Sequence, residues 1–230
     1  MAERPYTLLS CGMSIDGYLD SAAVTRLRLS NDADFDRVDA VRASCDAILV
    51  GAATVRQDNP RLLVRSPERR ARRIARGLSP SPAKVTVTNC GQLDAQANFF
   101  VTGDVEKLVY CASSAANDAR RRLGAVATVV DGGARVDMCR LSEDLRRRGI
   151  HRLMVEGGGT IHTQFLTAGL ADELQLVIAP FFVGDSRAPR FVGDGQFPWH
   201  PRRRATLAEV QQIGDVVLLR YALSSRFRAD

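Results

Sequence analysis

Apolar residues along this chain fall into short, separated runs rather than one sustained amphipathic period. Strands are predicted at Tyr6 to Cys11, Ala47 to Val50, Lys84 to Thr88, Leu108 to Cys111, Ala127 to Val130, Arg152 to Val155, Glu173 to Ile178 and Val216 to Ala222. Ala47-Ile48-Leu49-Val50 shows no alternation, the pattern of a strand covered on both faces. Between the runs, Phe35, Val38 and Val41 recur at helical spacing within 34–45, and segments 114–123 and 141–148 read as polar-faced helices. Strand and helix alternate, which predicts an α/β fold with a mostly parallel central sheet and helices on both faces. Near the C-terminus the order changes: Arg204 to Gln212 and Asp215 to Leu223 flank Ile213-Gly214 and predict an antiparallel hairpin closing one sheet edge.

Two stretches break the alternation. Ser66 to Pro82 is rich in Arg, Ser and Pro and reads as a surface excursion with a turn or two of helix around 68–75. Phe182 to Pro201, dense in Gly and Pro and holding Trp199, reads as a long irregular loop of the kind that borders sites. No repeat or linker divides the chain, so a single domain over 1–230 is expected.

Charge and composition narrow the function. The net charge is +6, and 30 of the 32 basic residues are arginine, bunched at 69–76, 120–122, 146–148 and 202–204. These clusters are dispersed, lack interleaved aromatics and accompany no helix-turn-helix or zinc-finger pattern, which argues for solvated helix faces and against a nucleic-acid partner. A basic surface also attracts anionic small molecules. No stretch approaches the roughly 18 apolar residues that span a bilayer, and Ser10 and Asp16 come too early for a secretory signal, so a cytoplasmic protein with no membrane partner is expected. Five scattered cysteines contain no Cys-x-x-Cys pair and three histidines lack ligand spacing; the thiols read as buried or idle and no metal site is expected.

Candidate chemistry concentrates in Val155-Glu156-Gly157-Gly158-Gly159-Thr160, after which Ile161, Phe165, Leu166 and Leu170 recur near helical spacing. Glycines at a helix start let the backbone approach an anion, and the helix dipole favours negative charge there. An ordinary tight turn also explains a bare triple glycine. Three further stretches put small or polar residues just after a strand, where open α/β sheets bind ligands: Ser10 to Gly17, Val50 to Arg65 and Thr86 to Gly91. Each has a structural alternative: Asp16-Gly17 as a turn, Thr54 as a helix cap, Asp58-Asn59-Pro60 as a helix stop.

Taken together, these blocks resemble the reductase domain of riboflavin biosynthesis, whose fold is similar to dihydrofolate reductase. The resemblance covers nearly the whole chain, through Ser14-Ile15-Asp16-Gly17, Asp46 to Gly51, Thr54 to Pro60, Val155 to Gly158, Gly169 to Leu174 and Ala179-Pro180. The zinc deaminase domain that many bacterial members carry in front, with its His-x-Glu and Pro-Cys-x-x-Cys ligands, is missing from the sequence, so a stand-alone reductase is expected.

The resemblance implies a homodimer that uses NADPH to reduce a ribosylaminopyrimidine 5′-phosphate, in either its uracil or its 2,5-diaminopyrimidinone form. It assigns Gly12, Thr54, Asp58, Asn89 and the run Gly158, Gly159, Thr160, Ile161 and His162 to the cofactor, and Arg42, Leu62, Arg65 and Glu156 to the substrate. The residue types agree with these roles. Arg42 and Arg65 offer planar forks for a phosphate, and Glu156 accepts hydrogen bonds from sugar hydroxyls or ring amines. Glu156 is also the candidate catalytic proton relay, since imine reduction needs a proton at nitrogen. Two positions depart from the two-domain bacterial members, which carry tryptophan where Leu27 stands and proline where Gly159 stands. These departures keep in view a reductase of the same fold acting on another pterin, pyrimidine or imine.

Overall fold

The computed structural model describes residues 3–23 and 26–228. Its elements, in chain order, are β1 (Tyr6–Ser14), α1 (Asp32–Ser44), β2 (Ala47–Gly51), α2 (Ala52–Asp58), α3 (Pro67–Ala75), β3 (Ala83–Thr88), α4 (Asn98–Val101), β4 (Lys107–Cys111), α5 (Ser113–Leu123), β5 (Thr128–Asp131), α6 (Met138–Arg147), β6 (Arg152–Gly157), α7 (Gly159–Thr167), β7 (Glu173–Ala179), β8 (Thr206–Ile213) and β9 (Val216–Ala222). They form two compact units that interleave in sequence, one of Met1–Pro5 and Asp39–Met154, the other of Tyr6–Val38 and Val155–Asp230.

In the first unit the strand order is β5-β4-β3-β2, every pair parallel. All of β2 is buried, as are all but the first residues of β3 and β4, which is what the unalternating apolar runs predict. Ile48, Leu49, Leu108, Leu123, Leu141 and Leu145 form its fully enclosed centre. Asp46, at the head of β2, ties that strand to the start of β6. Its amide donates to the Arg152 carbonyl at 2.9 Å and its carboxylate accepts from the His151 and Arg152 amides at 2.8 and 2.9 Å.

In the second unit the order is β1-β7-β9-β8, with β1 parallel to β7 and the last two pairings antiparallel. The predicted hairpin is present, turning at Gly214 with φ 61° and leaving β8 at the edge. β1 runs three residues beyond its apolar stretch because Gly12, Met13 and Ser14 pair with Val177, Ile178 and Ala179. Asp172, wholly buried, accepts from the Thr7 amide at 2.9 Å and Ser224 Oγ at 2.6 Å. Glu173 accepts from Tyr6 Oη at 2.8 Å and Arg220 Nε at 2.9 Å. The Gly169 to Leu174 block is therefore scaffolding that aligns β1, β7 and β9.

Local pattern missed three features. α2 and α4 are short and begin without a side-chain cap, so no start signal marks them. Arg73 sits in a basic run that reads as a solvated face, yet it is only 4% exposed. It donates to the Ala43, Cys45 and Ser79 carbonyls at 2.9, 2.7 and 2.8 Å, satisfying acceptors at the end of α1 and in the loop after α3. Lys84, fully enclosed in β3, does the same for α4 through the Phe99 and Thr102 carbonyls at 3.0 and 2.6 Å, and burial pushes its ammonium down to about 8. Among the described residues no helix is long and apolar enough to cross a membrane.

Candidate active site

The second unit builds an anion cradle from the glycine segment. Glu156 and Gly157 end β6, and Gly158 turns the chain into α7 with φ 82° and ψ 132°, a conformation open to glycine at little cost. Helix geometry leaves the Gly159 and Thr160 amides without intrahelical acceptors, so they present donors and the positive end of the dipole together. Gly159 is held to glycine by space: a Cβ there would stand 2.2 Å from the Arg190 carbonyl oxygen. The departure from proline at this position thus has a physical cause in this chain, because the 190–191 backbone occupies the space a side chain needs.

That backbone is held in place. Ser14-Ile15-Asp16-Gly17 closes β1, and Asp16 accepts from the Val183 and Gly184 amides at 3.0 and 2.8 Å and from Ser14 Oγ at 2.6 Å. Desolvation pushes the Asp16 carboxyl up, but these donors outweigh it and hold the group down at about 2. Further along, the Leu19 amide donates to the Pro189 carbonyl at 2.8 Å and the Phe191 amide to that of Gly17 at 3.1 Å. The Arg190 guanidinium lies 4.5 Å from the centre of the Tyr18 ring and donates to Tyr18 Oη at 2.7 Å. The Gly193 amide reaches Thr163 Oγ1 on α7 at 2.9 Å. Gly12, half-buried within β1, belongs to the same unit, where a Cβ would press on Leu29 at 3.3 Å.

Ile161 and His162 both turn their side chains into the unit, at 5% and 0% exposure. Their amides are engaged as well, donating to the Gly158 carbonyl at 3.0 and 3.1 Å, so the donors left open at the helix start are those of Gly159 and Thr160. Burial drops the His162 imidazole to about 4, so it is neutral near pH 7. Its two ring nitrogens and Gln164 Oε1 have no hydrogen-bond partner, which native interiors rarely tolerate. These atoms lie inside the unit, so the donors that suit a phosphate-bearing group are the backbone amides at the helix start.

The first unit carries the remaining residues. Gly51 leads β2 straight into α2, where Thr54 and Asp58 lie one turn apart, both partly exposed. Asn89 follows β3 as an exposed bend, and because Gly51 pairs with Val87 it lies at the same C-terminal end of the parallel strands. After Asn59, which takes φ 43°, Leu62 also adopts a left-handed φ of 49° while 4% exposed. Holding a leucine there costs about 1–2 kcal/mol, strain that persists only where surroundings over-determine it. Arg42 reaches this loop from α1 and donates to the Leu63 carbonyl at 3.4 Å. Arg65 follows, its side chain 60% exposed. Arg42, Leu62 and Arg65 are thus gathered on one unit, as are Thr54, Asp58 and Asn89, whereas Gly12, Glu156 and the start of α7 belong to the other.

Reasoning from sequence missed Asp39. It is 2% exposed on α1 and accepts from the Arg65 and Ser66 amides at 2.5 and 3.1 Å and from Arg69 Nη1 at 3.0 Å. Burial pushes its carboxyl up, but those donors prevail and keep it below the usual carboxylate range. No local signal marks it, because its burial and its partners appear only in the folded chain.

A separate cleft of about 310 Å³ in the first unit, bordered by Asp131, Gly133, Asp137, Arg140 and Asp144, competes poorly for the role. Its three aspartates already serve the scaffold. Asp131 accepts from Ser113 Oγ at 2.6 Å, Asp137 caps α6 through the Cys139 amide at 2.7 Å, and Asp144 accepts from Tyr110 Oη at 2.7 Å.

Comparison with known proteins narrows the chemistry. Residues 5–219 match the family model described as RibD C-terminal domain. The chain is 33% identical over 225 residues to the 2,5-diamino-6-ribosylamino-4(3H)-pyrimidinone 5′-phosphate reductase of Archaeoglobus fulgidus, covering 97% of this chain and 99% of that one. The protein of the same name from Methanothermobacter thermautotrophicus is 34% identical, with 96% and 99% covered. A solved pyrimidine reductase-like protein from Corynebacterium diphtheriae shares the fold, with a TM-score of 0.80 at 22% identity over 95% of this chain and 91% of that one.

Proposed function

We propose, since the chain belongs to the RibD C-terminal domain family, that it is an oxidoreductase of riboflavin biosynthesis that reduces a ribosylaminopyrimidine 5′-phosphate to its ribitylamino product. The observation that carries this reading is the end-to-end match to two reductases named for the 2,5-diaminopyrimidinone phosphate, about one residue in three identical. It favours the undeaminated pyrimidine over the uracil form. We read the protein as a cytoplasmic homodimer working as one reductase domain over 1–230. The exposed edge strand β8, with Leu207 and Val210 at 50% and 59% exposure, supports the dimer.

A reduced nicotinamide, which we take to be NADPH, supplies the hydride when bound. The residues of this chain bind and orient. The Gly159 and Thr160 amides at the start of α7 hold the cofactor phosphate, with Gly158 giving close approach. Gly12, Asn89 and the first turn of α7 through Ile161 and His162 would line the cofactor, and Thr54 and Asp58 would supply polar contacts to the nicotinamide and its ribose. Arg42 and Arg65 take the substrate phosphate through charge-assisted hydrogen bonds, and Leu62 packs against the pyrimidine. Glu156, partly exposed at the end of β6, engages the sugar hydroxyls or ring amines and relays the proton to the imine nitrogen.

The test is loss of reduced-nicotinamide absorbance with purified protein and each pyrimidine phosphate offered separately. Rapid oxidation with the diamino form alone is expected. Oxidation with the uracil form alone reverses the substrate assignment, and oxidation with neither removes the riboflavin reading.

A further inference from the structure

The proposed phosphate subsite depends on a loop whose shape its own sequence does not favour. Between Leu62 and Ser66 the chain leaves a left-handed leucine and must set Arg65 outward immediately before α3 begins. Four side-chain contacts hold this short path. Arg42 takes the Leu63 carbonyl at 3.4 Å, Ser81 Oγ accepts from the Val64 amide at 3.0 Å, and Asp39 accepts from the Arg65 and Ser66 amides at 2.5 and 3.1 Å.

Asp39 differs from the other anchors. Its two amide contacts bracket the Cα of Arg65, so they fix the backbone on both sides of that side chain. Oδ1, which takes the Arg65 amide, lies 3.8 Å from Arg65 Nε, and Oδ2, which takes the Ser66 amide, also meets Arg69 Nη1 at 3.0 Å. A carboxylate at 2% exposure is costly to bury unless its partners are arranged for it, and all these partners come from the loop and the first turn of α3.

We propose that Asp39 is a positioning residue for the reaction, holding the 62–66 loop in the shape that sets the Arg65 guanidinium beside Arg42 as one phosphate subsite. The inference rests on the reading of Arg42 and Arg65 as phosphate ligands. Asp39 acts through Arg65, not by touching substrate, so its loss lowers affinity for the phosphate and leaves hydride transfer alone.

The isosteric variant Asp39→Asn keeps one acceptor oxygen and removes the charge. Its KM for the diaminopyrimidine phosphate is expected to rise about tenfold, with kcat and cofactor affinity within about twofold of wild type. Ribose 5-phosphate, titrated calorimetrically, is expected to lose affinity to the same extent. In an Arg65→Ala background the second substitution is expected to add less than about twofold, because its route of action is already gone. Additive losses, or unchanged affinity for both ligands, overturn the proposal. Asp39→Glu, which keeps the charge but moves the carboxylate by one methylene, gives the same readouts if the asparagine variant does not fold. If the wild type turns over neither pyrimidine, ribose 5-phosphate binding still judges Asp39 independently of the riboflavin reading.

Discussion

Gly159→Ala sets two physical expectations against each other. In an exposed helix start, alanine for glycine stabilises by about 0.5–1 kcal/mol through backbone entropy. Here the added Cβ falls 2.2 Å from the Arg190 oxygen, about 0.8 Å inside the 3.0 Å that real Cβ atoms respect. The obstacle is backbone, and it cannot swing aside as a side chain would. Moving it strains the Leu19 to Pro189 and Phe191 to Gly17 hydrogen bonds, the Arg190 contact with Tyr18 and the Gly193 to Thr163 link. Overpacking of this kind costs about 1–3 kcal/mol, so after the helix gain the net loss is up to about 2.5 kcal/mol, and the backbone nature of the obstacle puts it toward the upper end. For a chain of 230 residues that lowers the melting temperature by up to roughly 5 °C. The same displacement misaligns the Gly159 and Thr160 amides by most of an ångström, and errors of that size in a positioning element cost about 100-fold in rate. Thermal unfolding, with NADPH titrated by fluorescence, measures both effects. A variant at least as stable as wild type that binds NADPH equally well refutes the claim that the Arg190 carbonyl dictates glycine here.

Other expectations follow from the same geometry. Lys84→Met strips the Phe99 and Thr102 carbonyls of their donor and should destabilise the protein by about 2–3 kcal/mol at pH 7 in urea unfolding. Because the folded-state ammonium titrates near 8 rather than 10.5, this group's contribution to wild-type stability should improve as pH rises from about 8 to 10.5, and that improvement should vanish in the variant. Asp16→Asn should loosen the Val183 and Gly184 amides. With its folded pKa depressed to about 2, Asp16 contributes stability that is present above about 4 and lost as pH falls through 2, so the asparagine variant should show a shallower acid unfolding curve. Glu156→Gln should lower kcat about 100-fold with little change in NADPH affinity, and an unchanged kcat would confine Glu156 to binding.

The elements themselves were legible because a strand or helix writes its period into adjacent residues. β2, β4 and the C-terminal hairpin appear where their apolar runs put them, and α3 emerges from the Ser66 to Pro82 excursion at the position its Glu and Arg residues favour. The strand-to-helix turn at the glycine segment was legible for the same reason, since a glycine run between a strand and a helix is a local signal. Contacts between distant residues were not. Nothing near position 39 announces the amides of 65 and 66, nothing near 73 announces the carbonyls of 43 and 45, and the obligation on Gly159 comes from a carbonyl at 190. His162 looked like a ligand of the helix start until the fold turned its ring inward. The sequence by itself determined the alternation of strands and helices, the family and the stretches proposed to carry the chemistry, because those properties depend on neighbours in the chain. Only the tertiary structure decided which buried polar groups hold those stretches in shape, because burial and hydrogen-bond partnership depend on residues that meet only when the chain is folded.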